Sequence, residues 1–226
     1  MSEPRFTPTS TGRAPASDPV FPLLELPGSA VPPDRIRRLN DAPVPPGPDS
    51  EAGARAPGWV VYWMTGQRRL DHNWALERAV EWARHLDAPL LVFEGLRVDY
   101  PHASRRLHRF CLDGMAVHRA RLEGTRIGYF PWVEPEPGAG KGLLAALAAR
   151  ARLVVADDVP TFFLPRMLRA AAARLQVPLE AVDANGILPL AESDRIFTTA
   201  HSFRRHIQKR LPAILESGPR PHPQMG

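Results

Sequence analysis

The residues of this chain that could do chemistry are few and widely spaced. Asp157-Asp158 follows the apolar run Leu153-Val154-Val155-Ala156, which puts two carboxylates at the end of an expected strand. There they either hold a ligand hydroxyl or a metal, or Asp158 caps a turn. Gly138-Ala139-Gly140-Lys141 has the small residues and the cation of a phosphate-binding loop but fails its pattern. Gly142 stands where a magnesium-binding hydroxyl is needed, and Pro135 where the first glycine belongs. The segment reads as a turn into a helix, with bare amides that can attract an anion. Cys111 is the sole cysteine, so an internal disulfide and a cysteine-based zinc site are excluded. Between Phe110 and Leu112 it reads as a buried small hydrophobe. The eight histidines are scattered, without helical metal-ligand spacing. No G-x-G-x-x-G follows the first apolar run, and there is no G-x-S-x-G. Arg204, Arg205, His206, Lys209 and Arg210 form a basic face that is either solvated or meets nucleic acid or a partner. No complete catalytic site is expected.

The elements that must position these groups alternate in type. Trp59-Val60-Val61-Tyr62-Trp63, Pro89 to Phe93, Ile127 to Phe130, Leu153 to Ala156 and Leu179 to Val182 are short apolar runs, as strands buried on both faces require. Ala75, Ala79, Trp82 and Leu86 recur at helical spacing, with Asp71 as the expected N-cap. Ser104 caps a second helix, whose apolar side carries Leu107, Phe110, Val117 and Leu122. Leu143, Leu144 and Leu147 mark a third helix, and Pro165 starts a fourth. Residues from Thr198 to Leu215 form one or two helices interrupted at Pro212. The expected fold is α/β: a Rossmann-like, doubly wound, parallel five-stranded sheet with flanking helices. Ligands of such sheets sit beyond the carboxyl ends of the strands. That points to Trp63–Arg69, Phe93–Arg97, Asp157–Val159 and Asp183–Asn185.

Of 26 prolines, 13 fall between Pro4 and Pro57. Residues 1–57 therefore read as a disordered proline-rich leader, interrupted by Arg35-Ile36-Arg37-Arg38-Leu39-Asn40, which Ile36 and Leu39 can dock. Residues 58–190 read as the α/β domain, 191–216 as a helical linker and 217–226 as a disordered tail. No apolar run approaches bilayer length and no signal-peptide core is visible, so a cytoplasmic protein is the default. The net charge of +5 permits nucleic-acid contact without requiring it.

Several segments together resemble the photolyase/cryptochrome family, and within it the class II cyclobutane-dimer photolyases. They are Arg35 to Asn40, Val60-Val61-Tyr62-Trp63-Met64, Asp71-His72-Asn73-Trp74-Ala75-Leu76, Asp157-Asp158 through Pro165-Arg166, Val182 to Pro189, and Phe197 to Leu211. Gly66-Gln67-Arg68-Arg69 departs from the Arg-Asp-Gln-Arg-like run of many members. The resemblance implies an α/β domain that can hold a light-harvesting antenna, a deazaflavin or a folate. Trp63, Met64, Arg68, Asp157, Asp183 and Asn185 are its expected contacts. It also implies a helical half that binds FAD, receives a flipped-out pyrimidine dimer and splits it by light-driven electron transfer. No counterpart of that half is read in this sequence, so the expectation is an antenna and scaffold portion. FAD and damaged DNA would then be met through a separate helical domain, with Arg204, Arg205, Lys209 and Arg210 as DNA or partner contacts. The alternatives are a non-enzymatic partner-binding or light-sensing module, or a nucleotide-binding protein of electron-transfer-flavoprotein type.

Overall fold

In the computed structural model, residues 19–43, 46–47, 51, 58–193 and 195–225 are described. Six strands are β1 (Ile36–Arg38), β2 (Trp59–Met64), β3 (Leu90–Leu96), β4 (Ile127–Val133), β5 (Ala151–Asp157) and β6 (Leu179–Val182). The helices are α1 (Trp74–His85), α2 (Arg105–Leu122), α3 (Leu143–Ala148), α4 (Leu164–Ala172) and α5 (Ala200–Leu215). The strands form one sheet in the order β1-β6-β5-β2-β3-β4. Side chains along β2 alternate between its faces. Val60, Tyr62 and Met64 join a core with α1, while Val61 and Trp63 join another with α3 and α4. This is the doubly wound α/β arrangement, and all five expected strands are present and mutually parallel.

The sheet has a sixth strand that the sequence reading missed. β1 pairs antiparallel with β6, placing Ile36 opposite Val182. A three-residue run with two arginines has neither the length nor the apolar character of a central strand, but it suits an edge. Its flanks are held by buried polar side chains. Arg35 donates to the carbonyls of Asp183 (3.2 Å), Gly186 (3.2 Å) and Ile187 (2.5 Å). The Asn40 amide donates to the Val177 carbonyl (3.0 Å) and its oxygen accepts from the Leu179 amide (3.1 Å).

Two segments expected to be disordered are packed where they are described. Leu24 and Val31 enter the α1 core, and Glu81 accepts from the Ser29 hydroxyl and the Ala30 amide. Prolines there lower the entropy of the unfolded chain, so a few apolar anchors suffice to order it. The remainder of the expected leader, including residues 1–18 and 52–57, lies outside the described residues. The tail likewise lies on α1, where the Arg220 amide donates to Glu77 (2.9 Å).

Three local expectations change. Asn73, not Asp71, caps α1, accepting from the Ala75 (3.0 Å) and Leu76 (3.2 Å) amides. Ser104 caps α2 as expected, but that helix turns Met115, His118 and Leu122 inward and leaves Phe110 77% exposed. α5 runs unbroken through Pro212. It buries no residue, so the carbonyl freed by the proline can be hydrated. Among the described residues, no helix is long and apolar enough to cross a membrane.

Candidate functional site

Beyond the carboxyl ends of β2, β3 and β4, on the α3/α4 side, lies a cleft of about 660 Å³. Trp63 from β2, Phe93 from β3 and Trp132 from β4 line it. The segment after β3 adds Arg97, Tyr100 and His102, and the segment before α4 adds Phe162 and Phe163. The Tyr100 and Phe163 rings lie 6.3 Å apart between centroids, and the Arg97 guanidinium stands 5.5 Å over the Phe163 ring. His102 and Phe162 both take positive φ (69° and 58°), which is costly for side chains of this size. Phe162 is 78% exposed, so burial does not explain its conformation. Arg68, Lys141 and Arg174 bring positive charge to the aromatic lining. The Thr65 hydroxyl, also in the lining, is buried without a hydrogen-bond partner. A volume of this size, apolar with a few convergent polar groups, suits a planar anionic small molecule.

Arg68 is fixed from below by a buried polar cluster. It donates to Glu94 Oε1 (2.8 Å) and to the Gly95 carbonyl (2.7 Å). Glu94 Oε2 meets His118 Nδ1 (2.8 Å) and accepts from the Tyr129 hydroxyl (2.7 Å). Burial alone pushes the Glu94 carboxyl up. The His118 and Tyr129 hydrogen bonds and the Arg68 charge outweigh it and hold the group below its ordinary value. A depressed folded-state pKa stabilises the fold above the unfolded value of 4.5 and ceases to do so as pH falls through the folded value. The expected result is a melting-temperature gap between the unaltered chain and Glu94→Gln that is widest near neutrality and closes progressively below pH 4.5. Thermal unfolding followed across pH 3–7 by circular dichroism, a range of about four units, checks it.

The glycine loop is already occupied by an anion of the chain itself. Glu134, buried at the end of β4, accepts from the amides of Gly138 (3.0 Å) and Gly140 (3.4 Å) on one oxygen and of Val98 (3.1 Å) on the other. The amides that a bound phosphate would use are therefore turned to an internal carboxylate, which accounts for a loop that looks like a phosphate site and lacks its remaining parts. A Cβ on Gly140 would stand 2.8 Å from the Trp132 ring. The glycine is what lets this loop lie flat against the cleft wall.

Of the six residues expected to contact an antenna, the fold brings Trp63 and Arg68 into the cleft and keeps four out. Met64 points to the opposite face, buried under α1. Asp157 Oδ2 accepts from the amides of Thr65 (2.8 Å), Gly66 (2.8 Å) and Gln67 (2.9 Å), and its Oδ1 accepts from the Tyr62 hydroxyl (2.7 Å). Asp183 accepts from Asn185 and from the Leu190 amide (2.5 Å). Asn185 donates to the Asp158 carbonyl (2.5 Å) and accepts from Gln67 (2.9 Å). Asp158 holds Arg37 through two bonds of 2.6 and 2.9 Å. The strand order reverses between β2 and β5, and the loop clamped by Asp157 ties those two strand ends together. The open space is displaced toward β3 and β4.

Sequence reasoning missed Trp132 near the end of β4, and Tyr100, Glu134, Phe162 and Phe163 from segments after strands. Two signals were present: the glycine loop, and Phe162-Phe163 just before Pro165. Cys111, expected in the core, is half-buried on the cleft wall. On α5, Arg204, Arg205, Lys209 and Arg210 are all exposed, and Arg210 pairs with Glu192. No group of three or more His, Cys, Asp or Glu among the described residues is arranged to hold a metal.

No family model matches the chain. Curated proteins do. A deoxyribodipyrimidine photo-lyase of Methanothermobacter thermautotrophicus is 32% identical over 179 residues, 79% of this chain and 37% of its own length. Those of Arabidopsis thaliana and Oryza sativa subsp. japonica are 28% and 29% identical, each over 74% of this chain and 34% of their own. The chain thus spans about a third of the length of the curated relatives it matches. Among solved structures, a universal stress protein in complex with cAMP covers 57% of the chain at 21% identity, with a TM-score of 0.34.

Proposed function

Homology to the deoxyribodipyrimidine photo-lyases, in their N-terminal domain, is the premise from which we propose that this chain binds a planar light-harvesting pigment in the β2–β3–β4 cleft. The pigment is a deazaflavin or a folate. When bound, it supplies absorption of light that a flavin elsewhere can use. Splitting of cyclobutane pyrimidine dimers is assigned to an FAD-binding helical domain, in the same or another polypeptide, and the segments Tyr62-Trp63-Met64 and Asp71 to Leu76 favour the class II type. The observation that carries the reading is the aromatic lining itself. Trp63, Phe93, Trp132, Tyr100 and Phe163 converge with Arg68, Arg97 and Lys141 on one open volume.

Each group has a task that follows from its chemistry. The rings sandwich a flat molecule and exclude water. Arg68, with two of its donors committed to Glu94 and Gly95, keeps the others for a carbonyl or carboxylate of the ligand. The unpartnered Thr65 hydroxyl gains a partner on binding. Titration of a deazaflavin and, separately, a folate into the purified chain is expected to quench tryptophan fluorescence saturably for one of them. Tyr100→Ala and Phe163→Ala, both on the rim, are each expected to weaken that pigment about tenfold, the equivalent of about 1.4 kcal/mol. Failure of both pigments to quench at high micromolar concentration contradicts the proposal.

A second reading, docking of a partner, draws on the outer face of α2. Phe110, Val117 and Leu107 are exposed there beside the cleft. Neutralising Arg204, Arg205 and Lys209 separates DNA contact from protein contact. A role in DNA binding predicts weaker retention on DNA and a shallower salt dependence in the triple alanine variant.

A further inference from the structure

Glu77 lies in the first turn of α1 with its side chain 1% exposed. Among the described residues, its carboxylate partners all come from one place, Arg220 of the tail. The Arg220 amide donates to Oε2 (2.9 Å), and the guanidinium Nε stands 3.1 Å from Oε1. A buried carboxylate without a cation is costly, so this surface is built around an arginine it does not itself contain. Burial holds the Glu77 carboxyl above its ordinary value against the opposing pull of Arg220. Two further groups face the same segment. His72 takes φ 47°, unusual for a non-glycine residue, and this conformation aims its amide at the carbonyls of Arg220 (3.2 Å) and Pro221 (3.3 Å). Asp71 binds Arg121 at 2.7 and 2.6 Å and meets His222 Nδ1 at 2.7 Å. Pro223 is buried beyond them.

We propose that the Asp71–His72 turn and the first turn of α1 form a peptide-recognition site for an Arg-Pro-His-Pro segment, filled here in cis by residues 219–224, which enter a 3-10 turn at Pro223–Met225. A proline-rich segment suits such a site, because its prolines limit the backbone freedom lost on docking and the Arg220 and Pro221 carbonyls accept from the His72 amide. Specificity resides in Glu77 for the arginine and Asp71 for the histidine. The site is on the α1 side of the sheet, apart from the aromatic cleft, and does not depend on what the cleft binds.

The test uses the full chain carrying Arg220→Ala and His222→Ala, which removes both side-chain contacts of the tail and weakens its hold on the site. A fluorescein-labelled peptide of sequence SGPRPHPQMG is titrated into it. Saturable binding is expected, at least about tenfold tighter than to the unaltered chain, whose site is filled. The same peptide with alanine for arginine is expected to bind at least about tenfold more weakly, and Glu77→Gln in the protein to weaken the original peptide similarly. In parallel, the His72 amide is expected to exchange hydrogen at least about tenfold faster in the double variant than in the unaltered chain. No saturable binding by the double variant, equal binding of the two peptides, or unchanged His72 exchange would each overturn the proposal.

Discussion

Asp157→Ala is expected to lower stability by about 4 kcal/mol, a large share of what a domain of this size has. The carboxylate is buried at the end of β5, where water cannot replace it. Removing it leaves the Tyr62 hydroxyl and the amides of Thr65, Gly66 and Gln67 without their acceptor. Those three amides begin the loop that carries Arg68 into the cleft, so pigment binding is expected to fall with stability. Asp157→Asn is expected to cost much less, about 1–2 kcal/mol. One amide oxygen can still serve the three N–H groups, and the main loss is the acceptor of the Tyr62 O–H, whose oxygen already accepts from Asn73 (2.9 Å). Burial raises the Asp157 carboxyl above the ordinary aspartate value despite its four donors. Urea denaturation at constant m separates the two variants by their midpoints. Equal midpoints for Ala and Asn would show that the hydrogen bonds are not what fixes the loop.

Arg78→Met is expected to be nearly as damaging, at about 3–5 kcal/mol. Arg78 grips Glu180 through two bonds of 2.8 Å, and Trp82 Nε1 donates to the same carboxylate at 2.8 Å. Both charged side chains are almost fully buried between α1 and β6. Arg78 also donates to the Leu24 carbonyl (3.2 Å), so the described part of the leader is tied to the same pair. Removing the guanidinium alone strands a buried anion on β6. Removing both charges, as Arg78→Met with Glu180→Leu, leaves only the Trp82 N–H and the Leu24 carbonyl without partners. The double variant is therefore expected to be more stable than the single one by about 2 kcal/mol. Additive losses in the double-mutant cycle would mean that the two residues act independently.

The sheet was legible because strands buried on both faces must be continuously apolar, and Val60-Val61-Tyr62-Trp63 has no other comfortable reading. β1 was not, because Ile36-Arg37-Arg38 owes its strand to the β6 edge and to Arg35 and Asn40 bonding carbonyls far along the chain. The site was half legible. Trp63 and Arg68 follow from the rule that strand ends meet ligands. Asp157, Asp183 and Asn185 have the side chains of ligand contacts, but their partners are groups of the chain's own loops, for Asp157 and Asn185 those after other strands, which spacing cannot reveal. Glu134 escaped notice for the same reason. Its role is to neutralise a glycine loop, and only the fold brings the two together. The exposed outer face of α2 misled the helical periodicity, since Leu107, Phe110 and Val117 form a stripe as regular as a buried one.

The central claim is that the aromatic cleft, and not the crevice between β2 and β5, receives the pigment. A crystal structure of the chain grown with the deazaflavin or folate that quenches its fluorescence tests this most directly. Ring density between Trp63 and the Tyr100–Phe163 lip, within hydrogen-bond reach of Arg68 or Thr65, is the predicted result. Density seated over Asp157 and Asn185, with the Thr65–Gln67 loop displaced, would contradict it.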